Sequence, residues 1–449
     1  MVRRGELEKR LDPHFHLPVF KLLVDNIRRV PNGTLHEIIV QSTDVWDQST
    51  KLFGDQFPYI EISAVGLGTN EYEVRMVPTK DAPSRARMIV KTNDIIVSTT
   101  RPHRGAIALI RPEHDGYIAS TGFAILRMRN HANEVLREYL LNVLSSSIIL
   151  QQFLQRSSGG NYPAITPDEI DKVIVPVPSF DIQQKLVASM DTARDQRRTK
   201  LAQADKILAS LDQYVLKTIG LEAPHRDKRR SYAFTFAQVL NEQRLNADFF
   251  HPERILAIRE MEQTSKRLWC PRLEEIVSFE RNQLKEPGEN YIGLANVKSD
   301  TGELVSSDET ASGTCFRFKV DDVLFARLRP YLNKVYQAEF DGCCSTEFHV
   351  LRILKGMDVL PVYLAVILRS SLILVQTCHM MTGNTHPRLA NEDVIKLVVP
   401  IPSKDIQEVI ASEVIHRREE AKRLCKEAEA LWAAAKQKFE RALLSEKDA

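Results

Sequence analysis

Two clusters of basic residues follow short apolar runs. Ile95 to Thr100 leads into Arg101, Pro102, His103 and Arg104, and Val323 to Ala326 leads into Arg327, Leu328, Arg329, Pro330 and then Lys334. A guanidinium is a planar fork of donors that can meet two adjacent acceptors, such as O6 and N7 of guanine, whereas an ammonium is a point charge better suited to a phosphate. Asn161 and Asn384 lie in polar loops, Ser157-Ser158-Gly159-Gly160-Asn161 and Thr382-Gly383-Asn384-Thr385. There an amide can bond an adenine edge, a phosphate or its own turn. The plain structural alternative for Arg101-Pro102 and Arg329-Pro330 is hairpin punctuation with solvated arginines, and the residues alone leave both readings open.

Other chemistry is missing from the sequence. There is no G-x-x-x-x-G-K-[ST] phosphate loop, and Gly66-Leu67-Gly68-Thr69-Asn70 lacks the third glycine and the strand-to-helix setting of a dinucleotide fingerprint. No Asn/Asp-Pro-Pro-Tyr/Phe tetrapeptide of the amino-methyltransferase type occurs. His14-Phe15-His16 has no cysteine or carboxylate at ligand spacing, so no metal site is expected and the motif reads as a structural lead-in segment. We therefore expect no catalytic residue, no metal and no cofactor in this chain.

The elements that must position these residues occur twice. Arg10-Leu11-Asp12 with Phe15 and Pro18 is echoed by Arg244-Leu245-Asn246 with Phe249 and Pro252. Asp94 to Pro102 is echoed by Asp322 to Pro330, Ser120-Thr121-Gly122-Phe123 by Ser345-Thr346-Glu347-Phe348, and Val175-Pro176-Val177-Pro178-Ser179 by Val399-Pro400-Ile401-Pro402-Ser403. The offset drifts from 234 (10 to 244) to 224 (176 to 400), as expected when surface loops change length around a fixed framework. Each unit begins with β-rich runs, continues with a helix over about 134–154 or 361–378, and closes with a short strand at Lys172 to Val175 or Lys396 to Val399. Ser179 and Ser403 then open long helices. Ala193, Leu201, Ala204, Leu208, Leu211 and Val215 form a seam on the first, and Ile410, Val414, Ala421, Leu424, Ala428, Leu431 and Ala435 on the second. With charged residues between them, these seams predict that the helices pack on each other, antiparallel.

The expected fold class is α+β: two pseudo-repeated α/β domains joined by two long antiparallel coiled-coil helices. The boundaries read as 1–178 for the first lobe, 179–221 for its helix, 222–243 for a linker, 244–402 for the second lobe and 403–447 for the second helix. The linker contains the basic run His225 to Arg230, either a solvated hinge or a contact to a nucleic-acid backbone. The chain of 449 residues is 43% hydrophobic and 27% charged, as in a folded protein of several domains, and its net charge of only +2 means that any polyanion must be met by local clusters. No run reaches the roughly 20 apolar residues of a membrane span, and the amino terminus lacks the pattern of a secretory signal. Six cysteines without a C-x-x-C pair read as reduced thiols, so the expected location is the cytoplasm, with no membrane partner.

In order and duplication, these motifs resemble the specificity subunits of type I restriction–modification systems over nearly the whole chain. The pairs Gln183-Gln184 and Gln407-Glu408 depart from the Glu-Gln common after the family's Pro-x-Pro. The resemblance implies a non-catalytic subunit in which each lobe reads one half of a bipartite, asymmetric target in double-stranded DNA. The helices would set the spacer and dock two methyltransferase (modification) subunits, with S-adenosylmethionine bound in those partners, and restriction (translocase/nuclease) subunits would join that core. On this reading Arg101, His103, Arg104, Asn161, Arg327, Arg329, Lys334 and Asn384 are the candidate DNA contacts. Two alternatives stay open: a specificity subunit of a related phage-defence methyltransferase system, and a coiled-coil scaffold whose lobes bind no DNA.

Overall fold

The computed structural model describes residues 12–50, 52–130, 134–224, 231–242, 244–263, 268–307, 313–383 and 385–444. Asn384, the basic run His225 to Arg230, Arg10-Leu11 and positions 445–447 lie outside them. The chain divides into two compact units, residues 1–199 with 428–449, and residues 200–427.

In the first unit, strand Ile95–Ser98 is buried on both faces because its apolar run serves two cores at once. Ile95 and Val97 meet Tyr139, Val143, Ile149 and Phe153 of the helical layer. Ile96 points the other way, into a core with Ile60, Ala119 and Ile125. A strand covered on both sides carries unbroken hydrophobics instead of alternation. Its sheet has the order Ile39–Gln41, Phe123–Met128, Ile95–Ser98, Ile107–Leu109, all antiparallel. The second sheet has the order Arg75–Pro78, Gln56–Ile60, Ile118–Ser120, Ala86–Ile89, with a parallel pair at its centre.

The second unit repeats the plan. Val323–Ala326 lies between Phe348–Ile353 and Val335–Gln337, with Val277–Glu280 outside. Its neighbouring sheet again has one parallel pair, Tyr291–Ile292 with Gly342–Ser345. The fourth strand differs: Arg75–Pro78 attaches to the parallel strand Gln56–Ile60, whereas Gln283–Leu284 attaches to the opposite edge, on Cys315–Phe318.

Two sequence expectations about the lobes need correction. The single helices expected over 134–154 and 361–378 are each broken in two, Arg137–Leu144 with Ser147–Arg156, and Pro361–Leu368 with Ser371–Cys378. At the breaks Ser146 and Ser370 adopt extended backbone (ψ 153° and 155°), and the Ser146 hydroxyl donates back to the Val143 carbonyl. Ser146 thus competes with the helix for the backbone, which apolar periodicity does not register, whereas the Ser370 hydroxyl has no hydrogen-bond partner among the described residues. The second correction concerns Lys396 to Val399. Ile174–Pro176 pairs with Asn32–Thr34, but the later segment makes only isolated bridges. Val399 N–H donates to the Pro271 carbonyl, and proline, standing where Gly33 faces Val175, returns no N–H to extend the ladder.

The long helices run Phe180–Ala209, continuing after Ser210 as Leu211–Thr218, and Lys404–Leu444. Within each unit a stretch of one lies antiparallel to a stretch of the other. In the first unit Arg197 pairs with Glu429, while Met190 and Ala193 share a core with Trp432, Phe439 and Leu443. In the second unit Lys200 pairs with Glu427, Ala204 packs with Ala421 and Leu424, and Arg417 reaches Ser210. Seam residues Leu211, Val215, Ile410 and Val414 join the second unit's main core. Leu431 departs from the expected seam: it is exposed, and its neighbour Trp432 is buried in its place. Among the described residues no single helix is long and apolar enough to cross a membrane. The bent pair Pro361–Leu368 and Ser371–Cys378 passes that test only jointly, and it is core of the second unit. All six cysteines are free.

Candidate nucleic-acid interface

The turn that carries the basic residues rests on a buried ion pair. Asp94, 1% exposed, caps Lys91 N–H and takes both Nε and Nη2 of Arg127 at 2.8 and 2.9 Å. Asp322 repeats the arrangement with Lys319 N–H and with Arg352 at 2.8 and 2.7 Å. Each pair ties the strand before the turn to the strand beside it, and the carboxylate holds its arginine firmly in the charged form.

Beyond the strand the chain enters a strained turn. Arg101 (φ 49°, ψ 49°) and Arg329 (φ 50°, ψ 61°) are left-handed, each followed by proline and one 3-10 turn, closed by a second left-handed residue, Gly105 or Asn333. A non-glycine residue there costs roughly 1–2 kcal/mol, and such outliers cluster at functional sites. The strain is held by a distant loop: Arg101 N–H donates to the Pro163 carbonyl, and Arg329 N–H to that of Pro387, both at 2.7 Å. Isolated bridges Thr100 to Ala164 and Leu328 to Arg388 extend the contact. The fold therefore brings together the basic turn and the segment at Pro163-Ala164 or Pro387-Arg388, about 60 residues away in sequence.

In the first unit this joins Arg101 to Asn161. The guanidinium lies 4.2 Å over the Tyr162 ring, and its Nη2 donates to the Asn161 carbonyl at 3.2 Å. Tyr162, Asn161 and Arg104 are exposed. His103 is half-buried, and its Nδ1 has no hydrogen-bond partner among the described residues. Burial, then the charges of Arg104 and Arg101, push its pKa down, so it adds a neutral ring rather than a charge.

In the second unit Arg327 and Arg329 are half-buried, each with a buried Nε that has no partner among the described residues. Lys334 donates to the Leu294 carbonyl at 2.7 Å, which turns its ammonium inward. Beside them Arg388 forms a two-pronged pair with Glu347, with contacts of 2.8 to 3.3 Å. Sequence reading passed over Arg388, Glu347 and Tyr162 as site residues, although matching the two halves position by position locates the first two.

Glutamines fasten each lobe to its long helix. Gln183, fully buried, accepts from Leu136 N–H and donates to the carbonyls of Glu134 and Pro178. Gln407 does the same with Leu360, Asp358 and Pro402. Tyr139 to Pro176 and Tyr363 to Pro400 add a matching bond in each unit. The Gly66-to-Asn70 loop is also structural: the Gly68 carbonyl accepts from Trp432 Nε1, and Asn70 (φ 64°) donates to Ser145.

Among the described residues one His/Glu group has the size of a metal site, His251, Glu253 and His379. Its imidazoles lie face to face, centroids 4.0 Å apart and planes within 8°. Their in-plane lone pairs therefore run side by side and do not converge on an ion about 2.1 Å from each, and His251 Nδ1 already accepts from Glu253 N–H.

The lobe is thus duplicated, and in each copy one strained basic turn is locked to a distal loop. Residues 32–209 match the model of the type I restriction modification DNA specificity domain. The chain is 26% identical over 272 residues to the specificity subunit of the type I restriction enzyme HindI of Haemophilus influenzae, an alignment covering 57% of each chain. It is 25% identical over 227 residues to the EcoDI specificity subunit of Escherichia coli, covering 47% of this chain and 48% of that one. The aligned region thus spans about half the length of these curated relatives. Solved structures with similarity include the HsdS subunit of Thermoanaerobacter tengcongensis (18% identity, TM-score 0.37, 93% and 97% of the two chains). Another comes from work on complex assembly and conformational transition of the type I R-M system (18% identity, TM-score 0.47, 94% and 99%). The chain is thus similar to specificity subunits of type I restriction–modification systems, and residues 32–209 match the DNA specificity domain of that family.

Proposed function

We propose that this chain is the DNA-reading, non-catalytic subunit of a type I restriction–modification assembly, each lobe reading one half of a bipartite target. One observation carries the reading: the same strained Arg-Pro turn is locked to the same distal loop in both lobes, while the side chains around it differ. A repeated backbone with unlike side chains suits one task performed on two unlike half-sites. Arg101, Arg104 and Asn161 form the reading edge of the first lobe, with Arg327 and Arg329 in the second.

The long helices set the spacing between half-sites and dock two methyltransferase subunits, which bind S-adenosylmethionine, and restriction subunits join that core. Helix Lys404–Leu444, with 41 residues, is about 61 Å long at 1.5 Å per residue, against roughly 34 Å for a turn of DNA. Methylome sequencing of a host with and without the chain tests the proposal. Expected is one bipartite motif with unlike halves that vanishes on deletion. Methylation by the purified polypeptide alone would contradict a non-catalytic role. Absence of any sequence-specific footprint with partners present would favour a protein-binding scaffold.

A further inference from the structure

The two lobes hold three positions with the same backbone hydrogen bonds but opposite side-chain character. In the first, Thr99 N–H donates to Gly122 at 2.8 Å, Ile165 N–H donates to Thr99 at 2.9 Å, and Ser158 and Ala164 exchange two bonds at 2.8 Å. In the second, Arg327 N–H donates to Glu347 at 2.9 Å, Leu389 N–H donates to Arg327 at 2.9 Å, and Thr382 and Arg388 exchange bonds at 2.9 and 2.8 Å. Thr99, Gly122 and Ala164 thus occupy the places of Arg327, Glu347 and Arg388.

The framework closes in the first lobe with almost no side chain at these points, so the Arg388–Glu347 pair is not needed to build it. Nor is the pair a buried structural bridge. Its side chains are 45% and 27% exposed, a setting in which an ion pair contributes little to stability. It lies against the strained turn, since Arg329 N–H bonds Pro387, the residue before Arg388, and Arg327 N–H bonds Glu347.

We infer that Arg388 and Glu347 are the specificity-determining pair of the second lobe and together read one G·C base pair. The inference rests on the DNA-reading function proposed above. A guanidinium fork matches guanine O6 and N7, and a carboxylate accepts from the cytosine N4 amine, so the two partners address the two bases of one pair. Their mutual contact in the free protein keeps the planar fork oriented. It also neutralises the charge of Arg388, so that this side chain adds nothing to a sequence-independent grip on phosphates by Arg327 and Arg329. The first lobe, lacking this pair, places Arg101 over Tyr162 instead, and its half-site differs accordingly.

The test is methylome sequencing in a host carrying the complete system, comparing the unaltered chain with Arg388→Ala, Arg388→Lys and Glu347→Gln. Expected is loss of discrimination at one G·C position of one half-site, between about fivefold and a hundredfold, with the other half-site unchanged. Arg388→Lys keeps the charge but not the fork and should relax the same position. An unchanged motif in Arg388→Lys and Glu347→Gln overturns the inference while leaving the general reading intact, as does relaxation at an A·T position. If Arg388→Ala abolishes methylation outright, Arg388→Lys decides: full activity with the original motif means charge alone matters and refutes the base-reading role. If the unaltered chain directs no sequence-specific methylation, the DNA-reading function itself fails, and this inference with it.

Discussion

Replacing Gln407 by alanine should loosen the second lobe from its helix without touching the basic turn at Arg327 to Asn333. The side chain is fully buried and makes three hydrogen bonds, accepting from Leu360 N–H at 2.9 Å and donating to Asp358 and Pro402 at 2.9 and 3.0 Å. At roughly 1 kcal/mol each, with the orphaned groups shielded from water, the loss is about 3 kcal/mol, reduced by a few tenths for alanine's better helix propensity. The second unit spans 228 residues (200 to 427), a size at which 1 kcal/mol moves the midpoint by about 2–4 °C, so its transition should fall by about 6–12 °C. Calorimetry of the full chain checks this, with Gln183→Ala expected to lower the other unit's transition instead. Gln407→Glu adds a sharper criterion. An ionised carboxylate cannot donate to the two carbonyls, so this variant's folded-state pKa rises above the ordinary glutamate value. The penalty is then full above that raised pKa and shrinks as pH falls toward about 4.3. A midpoint within 2 °C of the unaltered chain for Gln407→Ala, or a Gln407→Glu penalty independent of pH, would refute the clamp.

Three further outcomes follow from the packing. Asp322→Ala uncaps Lys319 and strips Arg352 of its buried partner, leaving Glu280, and should cost about 2–3 kcal/mol in chemical denaturation. Burial depresses the pKa of His349 to about 4 against the ordinary 6.5, so the unfolded chain binds its proton first. Stability should therefore fall as pH drops from about 6.5 to about 4, by up to roughly 3 kcal/mol, and His349→Gln should flatten that part of the profile. Trp432→Ala removes a buried indole and its bond to Gly68, with an expected loss of about 3–5 kcal/mol by denaturant titration; Trp432→Phe should lose markedly less.

Much of this architecture was legible because it is written twice. The Asp94-to-Pro102 and Asp322-to-Pro330 runs announce the two central strands and their turns, and the helical seams announce pairing. What escaped depends on neighbours far along the chain. Ser146 breaks its helix by backbone competition that apolar spacing does not register, and Trp432 enters the core through a loop more than 350 residues away. Lys334 looked like a surface ammonium until the fold supplied the Leu294 carbonyl. The union of Arg101 with Tyr162 and of Arg388 with Glu347 exists only after two distant loops meet.

The left-handed arginines also bear on laboratory evolution. Glycine at position 101 or 329 would relieve the unfavourable φ of 49° or 50° and remove the guanidinium together. A screen for heat resistance alone would thus drift toward glycine at both turns. If these arginines read DNA as proposed, it would return a molecule that folds more readily and has gone blind to its target.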